Sequence, residues 1–450
     1  MDRNKALSRL ALVGLMSSSF SAMATYQNHA PGPLMTLGKT TNLSTLLSVT
    51  GNPAGGELLL GRGEKFRIGY FSSFGLDVEV GDVDNFLEEV DELSAALEGE
   101  DEDGNELESS IGTYTDIKDK FDALLPVMGE SARVTLGIGL HSPIAPAAIR
   151  SDFLKGVLTF DLQASGLFDI QFLDAPIEID FSGSDPGLTT ASSLYIKGGS
   201  LVTGSIGYSR EVWKQDLFDI PSTFYAGIQT NIYNVSLTKQ VMSLENLEGE
   251  DASDAAQDEF EDNKESSTNV GIDIGAIWAM PYGQVGVTLA NINEPEFDYG
   301  TIGTNCGSIS DLTRKANCVV AQESFSDEID LSETAVLNAQ MTVEGAVFTK
   351  DKHWLLSSAL DLNSTYDIVA RETQYFSFSA SYFPDSYLIP SVRLGLTQNL
   401  KGSELTVMSF GTTLFGIMNI DIAASTDSTE VDGSSIPRSV GFNIGFEEKF

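Results

Sequence analysis

The chain has 450 residues, 65 of them acidic against 26 basic, and a formal net charge of −39. That balance argues against nucleic acid as a partner, because phosphates need Lys and Arg, and against docking on an anionic membrane through basic patches. Apolar residues still make up 42% of the chain, enough for extensive burial.

The first residues, MDRNKALSRLALVGLMSSSFSAMAT, carry the three parts of a secretory signal. Arg3, Lys5 and Arg9 form a basic start, Leu10 to Met16 a short apolar core, and Ala22-Met23-Ala24 a cleavage site. The core is too short to cross a bilayer as a helix. The competing reading is a buried N-terminal helix. Residues 1–24 are expected to be a signal peptide, and no cysteine follows to take a lipid anchor.

Next comes PLMTLGKTTNLSTLLSVTGNPAGGELLLGRG (33–63), which has few charges and no strand alternation. An exposed apolar stretch of this length would be a liability. Residues 25–63 are therefore expected to form a plug inside a barrel, held by Leu34, Leu37, Leu43, Leu46 and Leu47. Pro53 fixes its own backbone and biases Asn52 towards an extended form, so the chain can turn sharply through Asn52-Pro53-Ala54. Asn52 is expected to hydrogen-bond a polar residue of the wall. The apolar residues are expected to meet in a dry pocket that suits a hydrophobic ligand.

From there to the end the pattern has period two. In RVTLGIGL, Val134, Leu136, Ile138 and Leu140 alternate with Thr135, Gly137 and Gly139. LTFDLQA, VGIDIGAIW, WLLSSALDL, FSFSASY, VRLGLTQ and the final SVGFNIGFEEKF repeat the scheme. A soluble sandwich would also alternate. Here the polar phase is rich in Gly, Ser, Thr, Asn and Gln, as a wet lumen would be. Trp278, Tyr282, Trp354, Tyr382 and Phe383 fall at strand ends, where interfacial girdles lie. Residues 64–450 are thus expected to be all-β, a transmembrane antiparallel barrel. Turn spacing gives about sixteen candidate strands, several of them weak near 168–212, and about fourteen fits equally.

Counted back from the C-terminus, the short connections 281–284, 349–353, 384–390 and 413–416 fall on the inner side. The long ones, 81–131, 240–267 and 292–334, fall outside, and the first two are strongly acidic. Phe86, Leu87, Val90, Leu93 and Leu97 recur at helical spacing and predict a surface helix. The acids read either as a solvated face or as a binder of divalent cations that bridge lipopolysaccharide. DEDGNELESSIG begins like a calcium loop, but Glu106 stands where Gly is needed and Gly112 where Glu is needed. Cys306 and Cys318 are expected to form a local disulfide that pins an outer loop, since zinc would need more ligands nearby.

No G-x-S-x-G, H-E-x-x-H or Walker A motif is present. His141 and His353, the two histidines that could serve a Ser/His hydrolase, fall at expected inner turns. No catalytic residue, metal site or cofactor is expected, and no enzyme.

Asn52-Pro53-Ala54 in an N-terminal luminal segment, followed by a barrel ending on Phe450, resembles the FadL-type outer-membrane transporters of hydrophobic compounds. LLSVTGNPAGG and the chain's length are closer still to the TraF-like barrel family, named for plasmid transfer. The resemblance implies a hatch around Asn52 and a barrel of about fourteen strands. Thr50-Gly51 depart from the aromatic positions usual before the NPA triplet, which leaves the ligand open. Phe442, Ile444, Phe446 and Phe450 resemble the signal read by the barrel-assembly machinery. The implied place is the outer membrane of a Gram-negative bacterium, among its lipid and lipopolysaccharide. The implied function is passive passage of hydrophobic small molecules. The alternative is an accessory barrel in conjugal transfer or envelope assembly, without transport.

Overall fold

The computed structural model describes residues 30–61, 63–100, 105–107, 110–181, 186–246, 257–431 and 433–448. The signal peptide, Phe450 and much of the acidic stretch 244–265 lie outside the described residues.

Strands whose two faces differ in polarity must separate those faces, and a sheet closed on itself does so without leaving an edge. The chain forms β1 (Phe66–Val80), β2 (Arg133–His141), β3 (Ala147–Ser151), β4 (Gly156–Leu173), β5 (Ser193–Leu217), β6 (Ile220–Ser243), β7 (Glu265–Met280) and β8 (Gly283–Ala290). It continues with β9 (Gln340–Phe348), β10 (Trp354–Asp361), β11 (Tyr375–Tyr382), β12 (Ser391–Asn399), β13 (Thr406–Leu414), β14 (Met418–Ser425) and β15 (Ser439–Glu448). Each is antiparallel to its neighbours, and β15 returns to pair with β1 through Val78↔Val440 and Phe74↔Ile444. β2 and β3 both pair with β1 and with β4, so they are two halves of one wall position interrupted at 142–146.

The wall therefore has 14 positions. The count of sixteen fails near 168–212. That region holds the outer halves of the long strands β4 and β5, with a separate hairpin of Ile177–Asp180 and Gly187–Thr190 between them. Among the described residues no additional wall strand lies there.

Polarity is inside out. Ile228, Ile274, Val285, Phe378, Leu394 and Ile422 are exposed on the outer face, while Asn231, Asp273, Gln284, Ser379, Arg393 and Asp421 are buried. In β15, Val440, Phe442 and Phe446 point out, Ile444 is half-buried, and Asn443 and Glu447 are buried. A sandwich in water needs the opposite arrangement. An apolar outer band on a closed barrel is the arrangement for lipid. At the inner ends of the strands aromatics cluster, with ring centroids 4.9 Å apart for the tilted pair Trp213–Phe224, 5.7 Å for the stacked pair Phe224–Trp278 and 4.9 Å for the tilted pair Trp354–Tyr382.

Connections alternate in length. The inner turns are 152–155, 218–219, 281–282, 349–353, 383–390 and 415–417. The outer ones are 81–132, 174–192, 244–264, 291–339, 362–374, 400–405 and 426–438.

The luminal segment contributes two short helices, α1 (Leu34–Leu37) and α2 (Gly55–Leu59). The first outer connection folds as α3 (Phe86–Glu98) and α4 (Ile111–Ser131). Only α3 is foreseen by the alternation of apolar residues quoted above. α4 carries its own buried stripe, Tyr114, Phe121, Leu125 and Met128. Together they cover the outward side of the wall's extension, packing on Phe172, Leu194, Ile196 and Met242. On the lumen side the same extension meets Phe297, Tyr299, Leu337, Ile368 and Val369, which pack on Leu167, Leu201, Tyr233, Val235 and Leu237. The inward phase turns apolar at that height because outer loops fold over the mouth.

Candidate functional site

Residues 30–61 lie across the lumen. Their partners are on wall strands all the way round: Gly32 N donates to Ser73 Oγ of β1 (2.9 Å), Glu57 N to Ser209 Oγ of β5 (2.7 Å), Thr36 Oγ1 to Asp421 Oδ1 of β14 (2.6 Å) and Thr45 Oγ1 to Glu447 Oε1 of β15 (2.7 Å). A segment bonded on every side of a closed wall is inside it.

Asn52, Pro53 and Ala54 sit against β6 and β7. Gly227 and Gly275 pair across those two strands, and a Cβ on either would overlap the triplet: Pro53 at Gly227 and Asn52 at Gly275. The two glycines leave a flat step in the wall. Asn52 Oδ1 accepts from Ala54 N (3.0 Å), which closes the turn, and Asn52 Nδ2 donates to Glu344 Oε1 of β9 (2.7 Å). The Glu344 carboxylate also accepts from Thr41 N and from Thr41 Oγ1 (2.8 Å). One buried carboxylate thus gathers three donors from two turns of the luminal segment.

The five leucines divide into two groups. Leu34, Leu37 and Leu47 pack together. Leu46 packs with Val49, Leu59 and Leu60 against Ala148 and Val157 of the wall, with Leu43 beside them. They fill space and touch each other. Above them is a cavity of about 210 Å³, and of the five leucines only Leu34 lines it. The pocket is of mixed character. Asp77, Glu79, Asp361, Asp367, Lys39 and Arg371 share the lining with Met35, Leu405, Val407 and Ala423. Luminal strand faces are polar, so any space between them and the segment keeps charged walls.

This cavity shares Arg371 and Tyr375 with a second of about 330 Å³, which shares Arg133 and Gln171 with a third of about 560 Å³ beside Asp174, Glu328 and Asp330. The three lie in series between the outer loops and the luminal segment. Glu333 of the connection over the mouth is tied to the wall by Lys197 (2.6 Å) and Lys239 (3.7 Å).

Lys39 reaches into the deepest cavity. Its ammonium lies 2.6 Å from Gln340 Oε1, 3.0 Å from Asp361 Oδ2 and 5.9 Å from the centre of the Tyr375 ring. Neither Lys39 nor Glu344 stands out in the sequence, because one is a lone base and the other one polar residue among many on the lumen phase.

Cys306 and Cys318 are joined, with Cα atoms 5.5 Å apart, which ties a short turn to α5 (Leu312–Glu323) in the connection over the mouth. His353 lies in the turn 349–353, as expected. His141 does not lie at an inner turn. It ends β2 part-way down the wall, buried, with Nε2 3.6 Å from Asp161 Oδ2. Among the described residues no three His, Cys, Asp or Glu side chains gather as a metal site.

The family described as F plasmid transfer operon, TraF, protein matches residues 49–361. The chain belongs to that family. No curated protein matches. Solved structures similar to the chain include a mutant TodX monoaromatic hydrocarbon channel, with 10% identity, 93% of this chain and 99% of that chain covered, and a TM-score of 0.42. Another is a Pseudomonas aeruginosa FadL homologue, with 11% identity, 95% and 98% covered and a TM-score of 0.41. A mutant of Rh. blastica porin has 9% identity, 85% and 100% covered, and a TM-score of 0.24.

Proposed function

We propose that this chain is an outer-membrane barrel of a Gram-negative bacterium through which small apolar or amphipathic molecules pass passively, with residues 30–61 as its plug. The carrying observation is the run of three cavities that leads from the outer loops to that segment. The inside-out polarity supports a place in lipid. A wall clamped to the segment through hydrogen bonds, without covalent links, can let it go. Removing residues 33–55 while keeping the signal should raise single-channel conductance in planar bilayers. It should also speed uptake of labelled apolar compounds by cells. Unchanged conductance together with protease access to the segment in the folded barrel would remove the plug from the account.

The family description favours a second reading, an accessory barrel in plasmid transfer. A conjugation defect in cells lacking the protein, with uptake of several apolar compounds unaltered, would select it.

A further inference from the structure

The seat around Lys39 is built by side chains of the wall that also hold bonds of their own. Asp361 is 1% exposed in its side chain, and it accepts from Thr342 Oγ1 (2.6 Å) and Tyr375 N (3.1 Å). Gln340 Nε2 donates to Thr365 Oγ1 (3.2 Å), which turns its carbonyl oxygen towards the ammonium. The Tyr375 ring supplies a π face within cation range. Carboxylate, amide oxygen and ring thus converge on one position, and a side chain of the segment fills it. A buried carboxylate that loses its cation is costly, so an emptied seat takes up either another cation or a proton.

The approach suits the same charge. Along the three joined cavities carboxylates outnumber Lys and Arg by more than two to one. Arg371, the other cation in the deepest cavity, is engaged with Asp367 at 2.7 Å. Leu34, Met35, Leu405, Val407 and Ala423 give that cavity an apolar side. Lys39 keeps 20% of its side chain open, on the side that lines the cavity.

We propose that Lys39 is an internal stand-in in an ammonium-binding site, and that the substrate class is a small amphipathic amine which displaces it and so loosens the segment from β9 and β10. The inference rests on the channel reading for its purpose, though the seat can be tested without it.

The test is calorimetric titration of the detergent-purified barrel with n-butylammonium and with butyrate. Lys39→Ala should bind butylammonium at least tenfold more tightly than the unaltered protein, and adding Asp361→Asn should abolish the gain. Butyrate should bind neither. Equal amine affinity in Lys39→Ala and the parent, or equal binding of butyrate, overturns the proposal. If Lys39→Ala does not fold by heat-modifiable mobility, the parent protein decides. Butylammonium should then speed proteolysis within 30–61 where butyrate does not, and equal rates overturn the proposal. Calorimetry reads occupancy alone. Amine binding without cellular uptake supports the seat and sinks the channel, while uptake of apolar compounds with no amine binding does the reverse.

Discussion

At Gly275 a single missing side chain positions the luminal segment, because Asn52 Oδ1 occupies the space a Cβ would need. Gly275→Val should therefore push the Asn52-Pro53-Ala54 turn off the wall and stretch its bond to Glu344. Overpacking of this kind costs about 1–3 kcal/mol. The expected readouts are raised conductance and new protease cleavage near residues 50–56, with the barrel itself still heat-modifiable. Cleavage no faster than in the parent would mean the turn is held elsewhere. Pro53 and its flanking glycines made the turn legible from sequence. Glu344 was not legible, because QMTVEGAVF offers one glutamate on a polar phase and nothing local says which donors come to it.

Among the elements, the wall strands and the outer cap respond to different forces. Ile274 lies on the lipid side of β7, between Ile228 and Leu289. Ile274 stands four residues from Trp278 of the inner aromatic cluster, inside the apolar band, so Ile274→Arg should cost about 2–4 kcal/mol, against about 0–1 near an interface. Val78→Arg, close to the outer end of β1, is the control. Urea unfolding in lipid vesicles measures both, and equal losses would contradict the assigned depth. In the cap, Glu259 belongs to a helical stretch over 257–262 that packs on α5, and it is only 8% exposed. Burial pushes its carboxyl up from an ordinary 4.5 to about 7, against the lowering effect of hydrogen bonds from Asn317 and Asn263 and of the Arg314 charge. The folded cap thus holds a proton that the unfolded chain has lost. Its contribution, on the order of 3 kcal/mol, is fully present below pH 4.5 and disappears as pH rises through about 7. Hydrogen exchange in α5 should quicken over that window beyond its intrinsic pH dependence, and Glu259→Gln should abolish the excess. An excess that persists in the variant would assign it to another group.

For the whole molecule, period two revealed the strands, since Val440 to Glu447 alternates in sequence as it does in burial, and the small polar residues of the second phase with aromatics at strand ends separated a barrel from a sandwich. The number of wall positions was less legible. β4, β5 and β6 run far beyond the lipid, and turn spacing cannot tell a long strand from two short ones. The leucines of the luminal segment signalled burial but not its form, because only the folded wall shows that they fill space while charged groups line what is left. Ser73 on one side of the seam between β1 and β15 and Glu447 on the other both bond the luminal segment. The segment therefore spans the one joint where the first and last strands of the wall meet. What fills the lumen also acts as a brace across the closure, so loosening it should loosen the seam.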